Sequence, residues 1–211
     1  MLSPKYLKYC TLVFILEVLL LAVFSSPNYI LKVMAIEGVS IEDALGPETL
    51  RRIDADASEA FSSLFVDSGV YAGVWYTFVP TPDERTASEG IETMASGLFS
   101  WVDDRLTTCM ILLFQVVERL ELMKLWLPFS FFVVLGACYT GMTLRHIKQG
   151  NFAFASPSVH RLSLRIILVM LTLLPIFLML PLPLSPYIYP IMYSITAFMI
   201  QAIIANVAKR L

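Results

Sequence analysis

Glu17 is the residue whose type and position most invite chemistry. It is the single charge in an apolar run from about Tyr9 to Phe24. An unpaired carboxylate in hydrocarbon costs at least about 2.5 kcal/mol, so it needs a partner or a proton. One interpretation is a proton or ion relay, or a contact with another subunit. The other, which we favour because no second intramembrane acid or base completes a pathway, is a neutral carboxyl bonded to a polar side chain such as Gln201.

A second group of polar side chains surrounds a short loop between two apolar stretches. This loop, residues 145–165, contains no acid and holds both histidines of the chain. Its cations would attract anionic lipid headgroups at about 1 kcal/mol each, or would form a patch for an acidic surface of a partner protein. We favour the lipid interpretation because it explains every cation without a partner. The patch consists of Arg145, His146, Lys148, His160, Arg161 and Arg165.

Motifs of known enzyme classes are missing from the sequence. It has no Gly-x-Ser-x-Gly, no phosphate loop and no His-Glu-x-x-His, and neither histidine has an acid nearby in sequence on its own side of the membrane. Three cysteines and two histidines are too scattered for a zinc site or a disulfide framework. We therefore expect a non-enzymatic protein with no catalytic residues, no metal and no cofactor.

The elements that carry these residues are membrane helices. Of 211 residues, 57% are hydrophobic and 15% charged, and the mean hydropathy of +0.73 excludes an ordinary soluble domain. A bilayer core of about 30 Å needs roughly 20 apolar residues. Four stretches meet this need, which predicts an all-α membrane protein with four transmembrane helices. These are an anchor within residues 1–24, a helix at 125–144, and a hairpin at 166–208 whose two arms turn near Leu184.

Orientation follows from the positions of lysine and arginine, which are retained on the cytoplasmic side. Eight cations and no acid flank the four stretches on one side, whereas residues 25–124 carry seven cations against sixteen acids. We therefore expect both termini and the loop 145–165 in the cytoplasm and residues 25–124 in the periplasm. A cleaved signal peptide at the N-terminus is the alternative to an anchor. The net charge of −2 argues against direct nucleic-acid binding.

The acidic segment 25–124 should fold, because its apolar residues recur at helical spacing. Gly46-Pro47 signals a helix start, and an amphipathic helix should follow with an apolar stripe. That stripe is Leu50, Ile53, Ala57, Phe61 and Leu64.

Two further elements are expected in this segment. The aromatic and β-branched run Val70–Val79 reads either as a short strand or as an interfacial segment, and the sequence does not separate the two. Thr86-x-x-Glu89 forms a capping box. A helix should then run nearly unbroken from about Ala87 to Leu144.

The second half of the chain resembles a family of integral membrane proteins encoded in integrative conjugative elements and conjugative plasmids, whose domain has no assigned function. The resemblance rests on a small-residue and basic run at the end of the second stretch, Gly141–Lys148, and on the loop Gly150–Ser156. It continues through Val159-His160-Arg161 into the proline-containing stretch Leu173–Pro181. It covers roughly residues 105–211 and supplies no site residues.

The resemblance implies an inner-membrane accessory of bacterial conjugative DNA transfer, in contact with the coupling protein or the type IV secretion machinery. Membrane lipid is then the second expected partner, and self-association stays open. One alternative is a small transporter or channel subunit centred on Glu17. Another is an entry-exclusion or sensor protein whose acidic segment meets the apparatus of an incoming cell.

Overall fold

The computed structural model describes residues 4–78, 92–151 and 156–207, and those residues form helices without any strand. The expected capping box at Thr86 lies outside the described residues. The helices are α1 (Pro4–Phe24), α2 (Pro27–Leu45), α3 (Pro47–Phe61), α4 (Val70–Phe78), α5 (Glu92–Leu125), α6 (Leu127–Gly150), α7 (Pro157–Met179) and α8 (Ile188–Ala205).

The chain divides into two compact units. Residues 15–121 and 179–185 form one, called here the acidic unit, and residues 1–14, 122–178 and 186–211 form the other, called the span unit. The short segment between α7 and α8 therefore belongs largely with α2, α3 and α5. Sequence periodicity does not reveal this grouping.

The helices of the acidic unit begin at strong local signals. Ser26 caps α2 by accepting a hydrogen bond from the Tyr29 amide, and Pro27 occupies the first turn. Gly46, with φ of +88°, separates α2 from α3, a conformation that favours glycine over any side chain. Pro47 then starts α3, which confirms the amphipathic helix expected there. Ile53 and Ala57 from its stripe are buried.

The expectations for this segment are met only in part. Val70–Phe78 is the helix α4, so the strand alternative for this run is wrong. The long helix is also interrupted: α5 ends at Leu125, Trp126 forms a turn, and α6 restarts at Leu127. Pro128, in the first turn of α6, has no amide hydrogen to continue the α5 ladder, which explains the break.

Three helices among the described residues are long and apolar enough to cross a membrane, namely α6, α7 and α8. Four were expected from the sequence. The helix α1 covers the expected first stretch, but Lys8 and Glu17 divide it into uncharged runs of only eight residues, Tyr9–Leu16, and seven, Val18–Phe24. The helices also differ from the expected bounds, since α6 extends to Gly150 and α7 begins at Pro157.

In the span unit, α6 packs closely on α8. The contact is made at Gly141, where an added Cβ would lie 3.0 Å from the Gln201 carbonyl oxygen and 3.0 Å from Ile204 Cβ. Only glycine, which has no side chain, lets the two backbones come this close. The α7 and α8 helices are separated on one side by an apolar cavity of about 210 Å³ that is lined in part by Met170, Leu174 and Met192.

Candidate functional site: a buried ion pair

The buried face of α2 contains a carboxylate. Ile30, Val33, Glu37 and Ile41 recur at intervals of three and four residues and are all buried. A charge in the middle of such a stripe is expensive unless a partner and hydrogen bonds compensate it. Glu37 must therefore meet a cation from another element.

That cation is Arg119, from α5. Its Nη2 donates to Glu37 Oε1 at 2.6 Å, and the two side chains are 3% and 9% exposed. Gln115, one turn earlier on α5 and fully buried, donates from Nε2 to Glu37 Oε2 at 3.2 Å. Both carboxylate oxygens are thus occupied, and the ion pair has a fixed geometry.

The pair also holds the segment that joins α7 to α8. Arg119 donates from Nη1 to the Leu180 carbonyl and from Nη2 to the Leu182 carbonyl, each at 2.8 Å. The Leu184 amide donates to Glu37 Oε1 at 2.8 Å. The Tyr29 hydroxyl donates to the Pro181 carbonyl at 3.0 Å. Side chains of α2 and α5 therefore bind the backbone of four of the five residues Leu180–Leu184, all except Pro183.

The composition of the segment explains why side chains must do this. Pro181 and Pro183 have no amide hydrogen, so Leu182 and Leu184 supply the donors between Leu180 and Leu184. The Leu182 amide bonds to the Leu180 carbonyl across Pro181, which is a tight three-residue turn. No helix or sheet ladder is available to the remaining groups. Glu37 and Arg119 instead bind the Leu180 and Leu182 carbonyls and the Leu184 amide, so the pair determines the conformation of the α7–α8 connection.

Two further acids lie near this pair. Glu118 is next to Arg119 on α5, and Asp54 comes from α3. Burial, followed by the negative charges of Asp54 and Glu37, raises the pKa of Glu118 to about 7, although the Arg119 charge opposes the shift. Burial also raises the pKa of Asp54. The charge of Glu118 therefore changes near neutral pH.

The raised pKa of Glu118 predicts how the free energy of unfolding depends on pH. The carboxyl of Glu118 keeps its proton up to about pH 7 in the folded chain but only up to about pH 4.5 in the unfolded chain. Protonation of Glu118 therefore contributes fully to the stability of the folded state below pH 4.5, and this contribution is lost as the pH rises through 7. We expect Glu118→Gln to match the wild type at pH 4.5 and to exceed its free energy of unfolding at pH 8 by roughly 2 kcal/mol, allowing for partial solvent screening. Urea unfolding in detergent at both pH values measures this.

The exposed acid Glu59, on α3, gives the matched control. Glu59→Gln should leave the pH dependence of the unfolding free energy as it is in the wild type. An equal gain for Glu59→Gln and Glu118→Gln would contradict the assignment to Glu118.

A second arginine of α5 binds the end of α1. Arg105 Nη1 donates to the carbonyl oxygens of Val23, at 2.8 Å, and Ser25, at 2.5 Å. Its guanidinium also lies 5.7 Å from the centre of the Trp101 ring. A cation at the C-terminal end of a helix satisfies carbonyls that have no partner within the helix. Arg105 therefore binds the end of α1 and Ser25 to α5, and Arg119 binds Glu37 of α2 to the same helix.

Glu17, expected to bond to a polar side chain, has no hydrogen-bond partner among the described residues. Both carboxyl oxygens of Glu17 are hidden from solvent, and no described residue forms a hydrogen bond to either of them. The hydrogen bond expected for this carboxyl is therefore not found. Gln201 lies in the span unit, where its backbone contacts α6 at Gly141.

The expected basic patch separates into two groups. Lys148 Nζ donates to Asn206 Oδ1 at 2.8 Å, and His160 Nδ1 lies 3.2 Å from the Ile203 carbonyl, so both bind the end of α8. His146 and Arg165 are exposed and Arg145 is half-buried. Arg161 is exposed and donates to the Pro157 carbonyl of its own helix. Two of the six residues thus serve α8 directly, and the remaining four are available to lipid or to a partner.

Sequence reasoning did not find Glu37, Gln115 or Arg119. The signal was present: Glu37 continues the stripe of Ile30, Val33 and Ile41 at helical spacing. An acid within an apolar stripe requires a partner, but the partner is 82 residues away along the chain. A single sequence does not show which residue is that partner.

The model of a family described as IncC plasmid conjugative DNA transfer protein DtrJ-like matches residues 11–211. The chain belongs to this family. No curated protein and no solved structure matched it. Membership in the DtrJ-like family associates the chain with conjugative DNA transfer and confirms the kind of family expected from the sequence. The match extends far beyond residues 105–211, so restricting the resemblance to the C-terminal half was wrong.

Proposed function

We propose that the chain is a non-enzymatic inner-membrane accessory of conjugative DNA transfer that acts by protein contacts. The observation that carries the proposal is the Glu37–Arg119 pair, whose two carboxylate oxygens and two terminal guanidinium nitrogens all form hydrogen bonds within the chain itself. Its role is to shape the α7–α8 connection and not to meet a substrate. Membership in the DtrJ-like family supplies the process. The expected partners are the coupling protein or the type IV secretion machinery.

A transfer assay with a membrane pull-down tests this function. Deleting the gene in donor cells should lower the transfer frequency at least tenfold, and a tagged copy should restore it and co-purify a transfer protein. Undiminished transfer together with a pull-down that recovers no transfer protein would overturn the proposal. If deletion in the recipient instead raises redundant transfer into it, entry exclusion is the correct function.

The second candidate function is a transporter or channel subunit, and the buried, unbonded carboxyl of Glu17 favours it. A relay requires a group that exchanges protons, so Glu17→Gln would abolish conjugative transfer although the amount of the protein in the membrane stays normal. The accessory function predicts transfer within about twofold of wild type. Measuring transfer frequency beside the amount of protein in the membrane separates the two, and Thr11→Val, on the same helix, serves as the control for a polar group lost without a carboxyl.

The proposed topology places α1 across the membrane as a fourth span, with both termini in the cytoplasm. The argument is one of parity: α6 enters from the outside only if the acidic segment before it has been translocated, and α1 is the helix that precedes that segment. The cations near α1, near 145–165 and at the C-terminus then share the cytoplasmic side.

Cysteine labelling tests this topology in a chain whose three native cysteines are replaced by serine. We expect Asp104→Cys, at an exposed position of α5, to react with a membrane-impermeant maleimide in spheroplasts. His146→Cys, also exposed, should react only after the membrane is permeabilised. Labelling of Asp104→Cys from the cytoplasmic side alone would exclude the topology.

A further inference from the structure

We propose that the cavity between α7 and α8 is a binding site for one acyl chain of a membrane phospholipid. This inference requires α7 and α8 to lie in the membrane, but it does not depend on a role in conjugative transfer.

The first step of the argument is the gap between the two helices. Among the described residues, α7 does not approach α8 as closely as α6 does, and a cavity of about 210 Å³ lies between the side chains of α7 and α8. Folded proteins contain few voids larger than a water molecule, because the atoms that line a void lose their dispersion contacts. Since packing is also what holds membrane helices together, a gap of this size calls for an occupant that packs against its walls.

The second step is the polarity of the walls. None of the side chains that line the cavity carries a charge, and three of them are methionines, whose flexible thioethers adapt to irregular apolar shapes. Tyr193 and Thr196 direct their hydroxyls to backbone carbonyls, those of Met123 at 3.1 Å and Met192 at 2.9 Å. A buried water needs about two to four polar partners, whereas an engineered apolar cavity of about 150 Å³ stays dry and binds benzene. The walls therefore suit hydrocarbon better than water.

The third step is the shape of the cavity. Its lining extends along α7 from Ile167 to Leu174, which is a length of about 10 Å at the helical rise. A volume of about 210 Å³ over this length gives a mean cross-section of about 20 Å², or a width of about 4–5 Å. Carbon atoms in contact lie about 3.5–4 Å apart, so a single hydrocarbon chain fits this width, whereas a helix about 10 Å across does not.

The fourth step is access from the bilayer. Leu171 lines the cavity and is also 63% exposed, so the cavity reaches the outer surface of α7. Both α7 and α8 are long and apolar enough to cross a membrane, so the molecules that surround this opening are lipids. The lining residues of the two helices lie toward the connection between them, so the acyl chain comes from a lipid of the leaflet on that side.

Photo-crosslinking with a defined lipid tests the site. The full-length chain in detergent micelles is titrated with phosphatidylethanolamine that carries a diazirine on one acyl chain, and the labelled residues are mapped by mass spectrometry. We expect labelling of Met170 and Met192, which line the cavity, to saturate at about one lipid per chain. Labelling of the exposed neighbours Leu173 and Ile191, which do not line it, should rise in proportion to the lipid.

Two variants and a competitor make the test specific. Met192→Trp fills the cavity and should lower the saturable labelling of Met170 at least fivefold, whereas Ile191→Trp, the exposed control one residue away, should change it less than twofold. Leu171→Trp narrows the opening from an exposed position and gives the same test if Met192→Trp fails to fold. Labelling of Met170 that does not saturate, or that neither cavity variant lowers, overturns the site. Stronger competition by free palmitate than by unlabelled phosphatidylethanolamine would overturn its assignment to a membrane phospholipid.

Discussion

Replacing Arg119 by leucine is expected to lower the free energy of unfolding by about 3–5 kcal/mol, because the change leaves the buried Glu37 carboxylate without its cation. It also removes the donors that bind Leu180 and Leu182. Chemical unfolding in detergent at pH 6, where Glu118 is neutral, measures the loss.

Two variants bracket this result. Arg52 forms an exposed pair with Asp56 at 3.8 Å, and Arg52→Leu should cost less than about 1 kcal/mol. The double change Glu37→Leu with Arg119→Leu removes both charges and should recover part of the loss, though not the bonds to the connection. If Arg119→Leu is no more harmful than Arg52→Leu, the buried pair does not stabilise the fold.

The second large effect is expected at Gly141. A methyl group there would lie 3.0 Å from the Gln201 carbonyl oxygen and from Ile204 Cβ, so α6 and α8 must move apart to admit it. Overpacking of this kind costs about 1–3 kcal/mol, and Gly141→Leu should cost more than Gly141→Ala. The midpoint of thermal unfolding in detergent measures both.

Gly136 provides a matched control on the same helix. A Cβ at this position meets nothing within 4 Å. Gly136→Ala should therefore be neutral or stabilise α6 by about 0.5–1 kcal/mol, through the better helix propensity of alanine. Equal effects of alanine at the two positions would show that helix propensity, and not the approach of α8, decides the outcome.

Local signals allowed much of the fold to be predicted from the sequence. Proline after Gly46 and a regular apolar stripe were sufficient for α3, and uninterrupted hydrophobic length was sufficient for α6, α7 and α8. The helix start at Ser26-Pro27 carries an equally clear signal, but this helix was not predicted. Two details were not predicted: the aromatic run at α4 is helical, and the long helix stops at Leu125, shortly before Pro128.

The candidate site could not be predicted because nothing in the sequence distinguishes Glu37 or Arg119 from the other charged residues of the segment. Glu37 is one of sixteen acids in the segment 25–124, and Arg119 is one of seven cations there. Their importance arises from exclusion of water and from a partner 82 residues distant. The expected basic residues, by contrast, were easy to find because they follow or precede the apolar stretches directly in the sequence, but only Lys148 and His160 bind the end of another helix.

The proline-rich connection has an evolutionary consequence. Its bonds to Glu37 and Arg119 are made by backbone groups, so they constrain those two residues more than the side chains of Leu180, Leu182 and Leu184. Related chains should therefore vary at these three leucines, whereas Glu37 and Arg119 should change only together.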